Sequence, residues 1–460
     1  MRSVPAPEVQ QDASRRLGQF GYDTVASLDD EIGGLGGLSQ GNMRRWGVTI
    51  GHGRSLGERA SRVNNMHHAH ERYDVIIVGA GPAGSTAAAS LARRGRSVLL
   101  LDRAEFPRDK VCGDGIPPGT VGILNDLGMT EALRDAGFQR IDSLRLVSAR
   151  GRDWRLDFKP RRDGADFFIA PRLRFDELLR SHAVTHGAVF QRAHVRAPIL
   201  DSGRVVGVRA DIDGVERELR AHIVMGADGA TSAVARALVP RKPPESHRAV
   251  AIRAYLSGFR AMPRTVEFHF GARYAPGYAW VFPLGDTSAN VGVIVRTDRF
   301  KRRGVPIDEL LREFVEGDEL RGRGASAGSL KDVATWQLPL AIPGRRRCAF
   351  DGAMLIGDAA HLVDPLTGEG IHNAVVSASL AADVADRALE AGDVSFAALA
   401  AYENRLGREL GRLIKRSYRS QKYVTAYPPA LETLFVLAGA NRGRVTRWLN
   451  RVSTDFRVAE

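Results

Sequence analysis

Three glycines in the order Gly79-x-Gly81-x-x-Gly84 have the spacing that brings a main chain against a pyrophosphate. The first permits a tight turn, the second lets the backbone approach the phosphates, and the third allows close helix–strand packing. Glycine-rich turns are common, so the flanks decide. Asp74-Val-Ile-Ile-Val78 is a short apolar run of the kind a fully buried parallel strand requires. Pro82 and small residues at helical spacing (Ala83, Thr86, Ala87, Ser90, Leu91) follow, and Val98 to Leu101 makes a second buried strand. Together they predict a β-α-β unit, whose helix aims free N–H groups and roughly half a positive charge at the phosphate. Asp102 ends the second strand, where a carboxylate accepts adenosine ribose hydroxyls and disfavours a 2′-phosphate. Arg103 is placed with it among the cofactor-binding candidates.

Two further segments combine glycine with a carboxylate. Gly226-Ala-Asp228-Gly229-Ala-Thr-Ser232 follows the strand Ile223 to Met225. Met354-Leu-Ile-Gly357-Asp358 leads through a loop with Pro365 into Gly368-Glu-Gly370-Ile371 and a helix over 369–390. Taken singly, Asp228 reads as a helix cap before Thr231. Taken together, the segments resemble the second and third FAD-binding motifs of flavoproteins of the p-hydroxybenzoate hydroxylase type. The resemblance covers roughly residues 73–395. It implies FAD, with Asp358 on the ribitol chain and Pro365 to Gly370 along the isoalloxazine ring. N–H groups at the helix start would then stabilise negative charge at the N1/O2 edge of the reduced ring.

Phe106-Pro-Arg-Asp-Lys110-Val-Cys112-Gly113-Asp-Gly115 and Tyr278-Ala-Trp280-Val-Phe282-Pro283 narrow the family. With Asn290-Val-Gly292 and Thr367-Gly-Glu369-Gly370-Ile371, they resemble the geranylgeranyl reductase family, which saturates carbon–carbon double bonds in polyprenyl chains. Arg172, within Pro171-Arg-Leu-Arg-Phe-Asp176, matches an arginine placed near the cofactor in the wider fold. The family places the cysteine matching Cys112 beside the flavin and the substrate cavity. Alternatively, Cys112 is a small buried hydrophobe. Tyr278 and Trp280 share one strand face, either as ordinary core or as the wall of a prenyl pocket. His361 and His372 have no metal-ligand spacing and read as structural, so no metal is expected.

The chemistry follows from the cofactor. Reduced FAD offers a hydride, and an isolated alkene accepts it only if an acid protonates the other carbon in a dry pocket. Cys112 or Tyr278 is the candidate donor, with Trp280 beside them. The chain has no second Gly-x-Gly-x-x-Gly unit, so NAD(P)H or a small redox protein is the expected reductant. An aromatic-ring hydroxylase shares the FAD motifs but lacks the Cys-Gly-Asp-Gly segment. A flavin-dependent halogenase carries Trp-x-Trp-x-Ile-Pro where this chain has Tyr278 and Phe282.

These residues need a large scaffold. The chain has 460 residues, 44% hydrophobic and 26% charged, which fits a folded protein of at least two domains. Apolar runs stay short of a membrane span, and no secretory pattern opens the chain. Cys112 and Cys348 alone exclude a disulfide framework and a protein-held iron–sulfur cluster. The chain reads as cytoplasmic. The net charge of +13 invites a nucleic-acid partner, but the arginines are spread and no stacking aromatics interleave them. No nucleic acid is expected.

The predicted architecture is α/β with an α+β second layer. A Rossmann-like FAD-binding domain (73–155, 170–245, 350–395) interleaves with an antiparallel-sheet substrate domain (156–169, 246–349). A C-terminal helical region covers 396–460, and the glycine-rich stretch 1–72 reads as a disordered extension, with Met66 as an alternative start. In the helical region, Leu406, Leu410, Leu413 and Ile414 form one apolar stripe, and Val445, Trp448, Leu449 and Val452 another. Arg412, Lys415, Arg416 and Arg419 flank the first. Two readings fit: peripheral docking on anionic membrane to reach a hydrophobic polyprenyl substrate, or a cap with a solvated basic face.

Overall fold

Tyr73–Val78 is buried along almost its whole length, and it becomes the centre of a parallel sheet because such a strand needs cover on both faces. The computed structural model describes residues 72–158, 165–239, 243–344 and 347–440, with 443 and 447. The expected N-terminal extension, apart from Arg72, and the stripe Val445, Trp448, Leu449 and Val452 lie outside the described residues.

Tyr73–Val78 pairs in parallel with Val98–Asp102 and with Val215–Gly226. Val189–Arg192 continues the sheet on one side and Ala353–Leu355 on the other. His194–Asp201 and Arg204–Ile212 extend Val215–Gly226 as antiparallel partners. After its first residue, the helix Pro82–Ala92 is built from Ala, Gly, Ser and Thr with a single Leu, and every residue is buried. Its small side chains let it pack closely against the helices Arg172–Thr185 and Ile371–Glu390.

The second sheet has seven strands, ordered Leu330–Pro339, Arg248–Ser257, Ser288–Arg296, Tyr278–Pro283, Thr265–His269, Ser143–Val147 and Asp153–Asp157. Alternation divides its faces. Ile252, Ala254, Val291 and Val293 pack with the helix Ile307–Val315. The intervening residues, including Tyr278, Trp280, Phe282 and Ile294, form a separate cluster with Leu340 and Val363.

Strand pairing crosses two of the expected divisions. Ser143–Val147 and residues 153–155 of the next strand, expected in the FAD-binding part, join the seven-stranded sheet through Ser143 opposite Thr265. Phe167–Ile169, assigned to the substrate part, pairs instead with Gly115–Ile116 and Gln139–Ile141. Local alternation marks a strand but not its partner, which here lies far along the chain.

The C-terminal stripe Leu406, Leu410, Leu413 and Ile414 is buried against the body. Arg412, Lys415, Arg416 and Arg419 remain exposed. A π-helical turn, Gln421–Thr425, leads into Pro428–Ala440, whose Phe435 stacks on Trp154 at 4.6 Å. Among the described residues no helix is long and apolar enough to cross a membrane.

Candidate active site

The turns after three parallel strands are tied together at the carboxyl edge of the sheet. Gly79 N–H donates to Leu101 O at 2.6 Å, Ala227 N–H to Val78 O at 2.8 Å and Ile356 N–H to Gly226 O at 3.0 Å. Chain order reverses here, which opens a crevice for a ligand. Gly79 has φ +103°, and a Cβ on it would stand 2.4 Å from Ala227 O. A Cβ on Gly84 would stand 1.7 Å from Gly79 O. At Gly81 the nearest atoms are only Arg108 Nη2 at 3.5 Å and Arg172 Nη2 at 4.0 Å. Gly79 and Gly84 therefore close the packing, whereas Gly81 opens onto a cavity faced by two guanidinium groups. The helix that starts at Pro82 has no side-chain cap and no acid in its first turn, leaving its N–H groups for an anion.

Asp102 Oδ2 accepts the Ala80 N–H at 2.8 Å and Oδ1 the Ala104 N–H at 2.9 Å, which fixes the carboxylate beside the turn. Arg103 is exposed and does not line the cavity. Asp228 accepts the Ser232 hydroxyl and, at 2.6 Å, the Ala233 N–H. It closes its turn and steadies the helix Ala233–Leu238, while its neighbour Gly229 lines the cavity.

The cavity holds about 1280 Å³ of atom-free space, its open mouth included. Asp358, Gly368, Gly370 and Ile371 line one side. Gly357 N–H donates to Ser377 Oγ at 3.0 Å, and Lys110 Nζ lies 3.3 Å from Asp358 Oδ2. Asp364 Oδ1 accepts the N–H groups of Leu366 and Thr367, each at 2.9 Å, and so shapes the loop ahead of Gly370. Pro365 is buried behind this loop, and its carbonyl accepts from Gln421 Nε2. The helix Ile371–Glu390 also begins with no side-chain cap and no acid in its first turn. His372 is buried, with Nδ1 3.3 Å from Thr120 Oγ1.

Another part of the cavity wall is aromatic. Tyr278, Trp280 and Phe282 line the cavity from one strand face, with Phe268 and Ile294 beside them. Trp280 stands opposite Gly292, where a Cβ would come within 2.2 Å of Trp280 Cζ2, so the indole lies across the neighbouring strand. Trp280 Nε1 donates to Asn290 Oδ1 at 2.8 Å, and Asn290 Nδ2 donates to Cys112 O and Asp114 Oδ2, each at 2.8 Å. This links the indole to the Cys112 loop. Cys112 lines the cavity, and burial pushes its thiol up although the Arg172 guanidinium pulls the other way. Burial also pushes the Tyr278 phenol up, and its hydroxyl donates to Thr367 O. Arg172 is buried and grips Asp176 with two bonds of 2.6 Å, and Arg108 reaches the same carboxylate at 2.5 Å.

The sequence reading missed the polar group behind this wall: the buried Asp114, Asn290 and Arg253 with the half-buried Tyr255. Asp114 and Asn290 stood within the motifs, but only the fold brings them together. Glu267, His269 and Glu319 also cluster, on the strand face away from Phe268. Arg145 and Arg323 already pair with Glu267, each at 2.9 Å, so the group is an ion-pair network.

Residues 72–405 match the FAD binding domain family. Digeranylgeranylglycerophospholipid reductase 1 of Methanopyrus kandleri is 36% identical over 347 residues, 73% of this chain and 86% of the relative. The menaquinone reductase of Mycobacterium tuberculosis is 38% identical over 326 residues, 68% of this chain and 76% of the relative. A geranylgeranyl bacteriochlorophyll reductase-like protein of Thermoplasma acidophilum superposes with a TM-score of 0.73 at 26% identity, over 83% of this chain and 100% of that one. The cradle at Gly81, two uncapped helix starts and the fixed Asp102 carboxylate fit a flavin dinucleotide. On geometry and kinship alike, the chain belongs to the geranylgeranyl reductase family of FAD-dependent oxidoreductases.

Proposed function

We propose that this enzyme reduces carbon–carbon double bonds in the prenyl chain of a lipid or quinone. One observation carries the reading: the aromatic side chains Tyr278, Trp280 and Phe282, the Gly368–Ile371 loop and Cys112 all line one cavity. Gly81 and the start of its helix would hold the pyrophosphate, Asp102 the adenosine ribose, Asp358 the ribitol, and the Gly368–Ile371 loop the ring edge. Bound and reduced, FAD supplies the hydride.

The remaining work belongs to the chain. Trp280 and Phe282 exclude water and hold the alkene, and their π faces favour partial positive charge on carbon. A general acid completes the addition, worth ~10²–10⁴ in rate. Burial keeps the Cys112 thiol protonated, whereas the Tyr278 proton is engaged by Thr367 O. Cys112 is therefore the favoured donor, handing its proton to one alkene carbon and recovering it from solvent. NAD(P)H or a small redox protein is the reductant.

Access to the lipid is proposed to be peripheral. Lys415, Arg416, Arg419 and Lys422 are exposed, and Tyr423, Tyr427, Val436 and Leu437 follow on the same C-terminal stretch with more than half their surface free. Basic and amphipathic side chains together suit an anionic membrane surface.

Dithionite-reduced protein mixed with geranylgeranyl diphosphate or a menaquinone tests the reading. The expected product is heavier by one H₂ per bond reduced, and Cys112→Ala forms it slower while keeping FAD. Unchanged mass from both substrates overturns the assignment.

A further inference from the structure

Behind the Cys112 loop lies a carboxyl that the proposed mechanism does not use. Asp114 is fully buried and held at φ +63°, a left-handed conformation that non-glycine residues adopt rarely. Three donors converge on its side chain. The Arg172 main-chain N–H reaches Oδ1 at 3.3 Å, and the Tyr255 hydroxyl and Asn290 amide reach Oδ2 at 3.0 and 2.8 Å. A protonated carboxyl is itself a donor, so it accommodates this arrangement less well than the carboxylate does.

Asn290 transmits the geometry. The amide group that reaches Asp114 also donates to Cys112 O, and its oxygen takes the Trp280 indole N–H. Asp114 and Asn290 together thus set the cysteine loop against the indole. Charged and titratable groups surround the carboxyl on every side. Arg253 and Tyr255 come from the strand Arg248–Ser257, Arg172 from its helix, and Cys112 from the same loop. Asp109, on that loop too, pairs with the fully buried Arg253, whose guanidinium carbon lies 4.5 Å from the Tyr255 ring centre.

We propose that Asp114, as a carboxylate, is the positioning residue that holds the Cys112 thiol and the Trp280 indole in their working arrangement, and that protonation releases it. The consequence for turnover rests on the prenyl-reductase reading; the consequence for Cys112 does not. Burial pushes the Asp114 carboxyl up to about 6, which brings the transition into a range where the protein can be assayed.

The test uses FAD-loaded protein between about pH 5 and 8, on either side of that transition. The first readout is Cys112 alkylation by iodoacetamide, measured by peptide mass and normalised to free glutathione, which removes the ordinary pH dependence of a thiol. Cys348 is buried and lies in a different peptide. The second readout is single-turnover reduction of a prenyl substrate in the same buffers.

In the wild type, normalised alkylation falls as pH rises through about 6, and reduction speeds up through the same midpoint. Asp114→Asn loses the transition, keeps the acid-side alkylation rate throughout, and reduces about tenfold more slowly at neutral pH. Tyr255→Phe removes one donor to the carboxylate and moves the midpoint upward. A wild-type transition that persists in Asp114→Asn, or a midpoint unmoved in Tyr255→Phe, overturns the inference. Should Asp114→Asn fail to load FAD, Tyr255→Phe decides alone. An alkylation transition that follows these rules in a protein unable to reduce any prenyl bond supports the role of Asp114 and removes the prenyl reading.

Discussion

At Gly81 an added methyl meets only Arg108 Nη2 at 3.5 Å and Arg172 Nη2 at 4.0 Å, both flexible ends, whereas at Gly84 it would stand 1.7 Å from Gly79 O. Gly81 also sits at φ −76° and ψ −171°, a conformation open to alanine. Gly81→Ala is therefore expected to fold as the wild type does, its stability changed by at most ~1 kcal/mol, mostly through the unfolded chain. On the proposed placement of FAD, the methyl instead projects where the pyrophosphate would approach. Each charge-assisted hydrogen bond lost there costs ~1.5–3 kcal/mol. Two lost bonds cost ~3–6 kcal/mol, which weakens FAD binding by ~10²–10⁴. Gly84→Ala forces the helix off its turn and costs ~1–3 kcal/mol or more with or without FAD. FAD-free protein is titrated with FAD by quenching of flavin fluorescence, and the same samples are unfolded in urea. Gly81→Ala that binds FAD as tightly as the wild type, or that unfolds as easily as Gly84→Ala, refutes the division of roles among the three glycines.

Three other perturbations probe different parts of the account. Trp280→Phe leaves the buried Asn290 Oδ1 without its indole donor, an expected loss of ~1–3 kcal/mol in urea unfolding; an unchanged midpoint contradicts the network. The Asp114 carboxyl is raised from 3.8 to about 6 in the fold, so its contribution is fully present below the lower value and is lost as pH rises through the upper one. That loss is ~3 kcal/mol, and Asp114→Asn flattens the wild-type urea midpoint across this window, whereas parallel profiles contradict the assignment. Reversing Lys415, Arg419 and Lys422 to glutamate should weaken partitioning onto anionic vesicles by ~1 kcal/mol per residue, and salt should abolish the difference. Equal partitioning of variant and wild type rejects peripheral docking.

The parts of the site that could be read from sequence are those written in one short stretch. Gly79, Gly81, Gly84 and Asp102 lie within a single strand-turn-helix-strand unit, and the fold has that unit where their spacing implies it. The Gly368–Ile371 loop was readable for the same reason, since strand, loop and helix start are contiguous. Asp228 was half readable: Gly229 beside it lines the cavity, but its own carboxylate is taken by the Ser232 hydroxyl and the Ala233 N–H, while Ser232 caps the next helix. Pairings across the chain were not readable. Tyr255 meets Asp114 only because the strands Arg248–Ser257 and Ser288–Arg296 lie side by side, with Tyr255 opposite Asn290. The alternation that places Tyr278 and Trp280 on one face says nothing of what that face covers. The basic C-terminal stripe divided in the same way, its apolar half buried in the body and its charged half left outside.

What accepts the electrons of the reduced flavin separates a prenyl reductase from a monooxygenase. Protein reduced under nitrogen is mixed in a stopped-flow instrument with a prenyl substrate, with its fully saturated analogue, and with air-saturated buffer. The spectrum of oxidised FAD is expected to return rapidly under nitrogen with the unsaturated compound, together with saturated product, and not with the analogue. Flavin that stays reduced with the prenyl substrate but reoxidises rapidly in air, yielding a hydroxylated product, would contradict the prenyl-reductase reading.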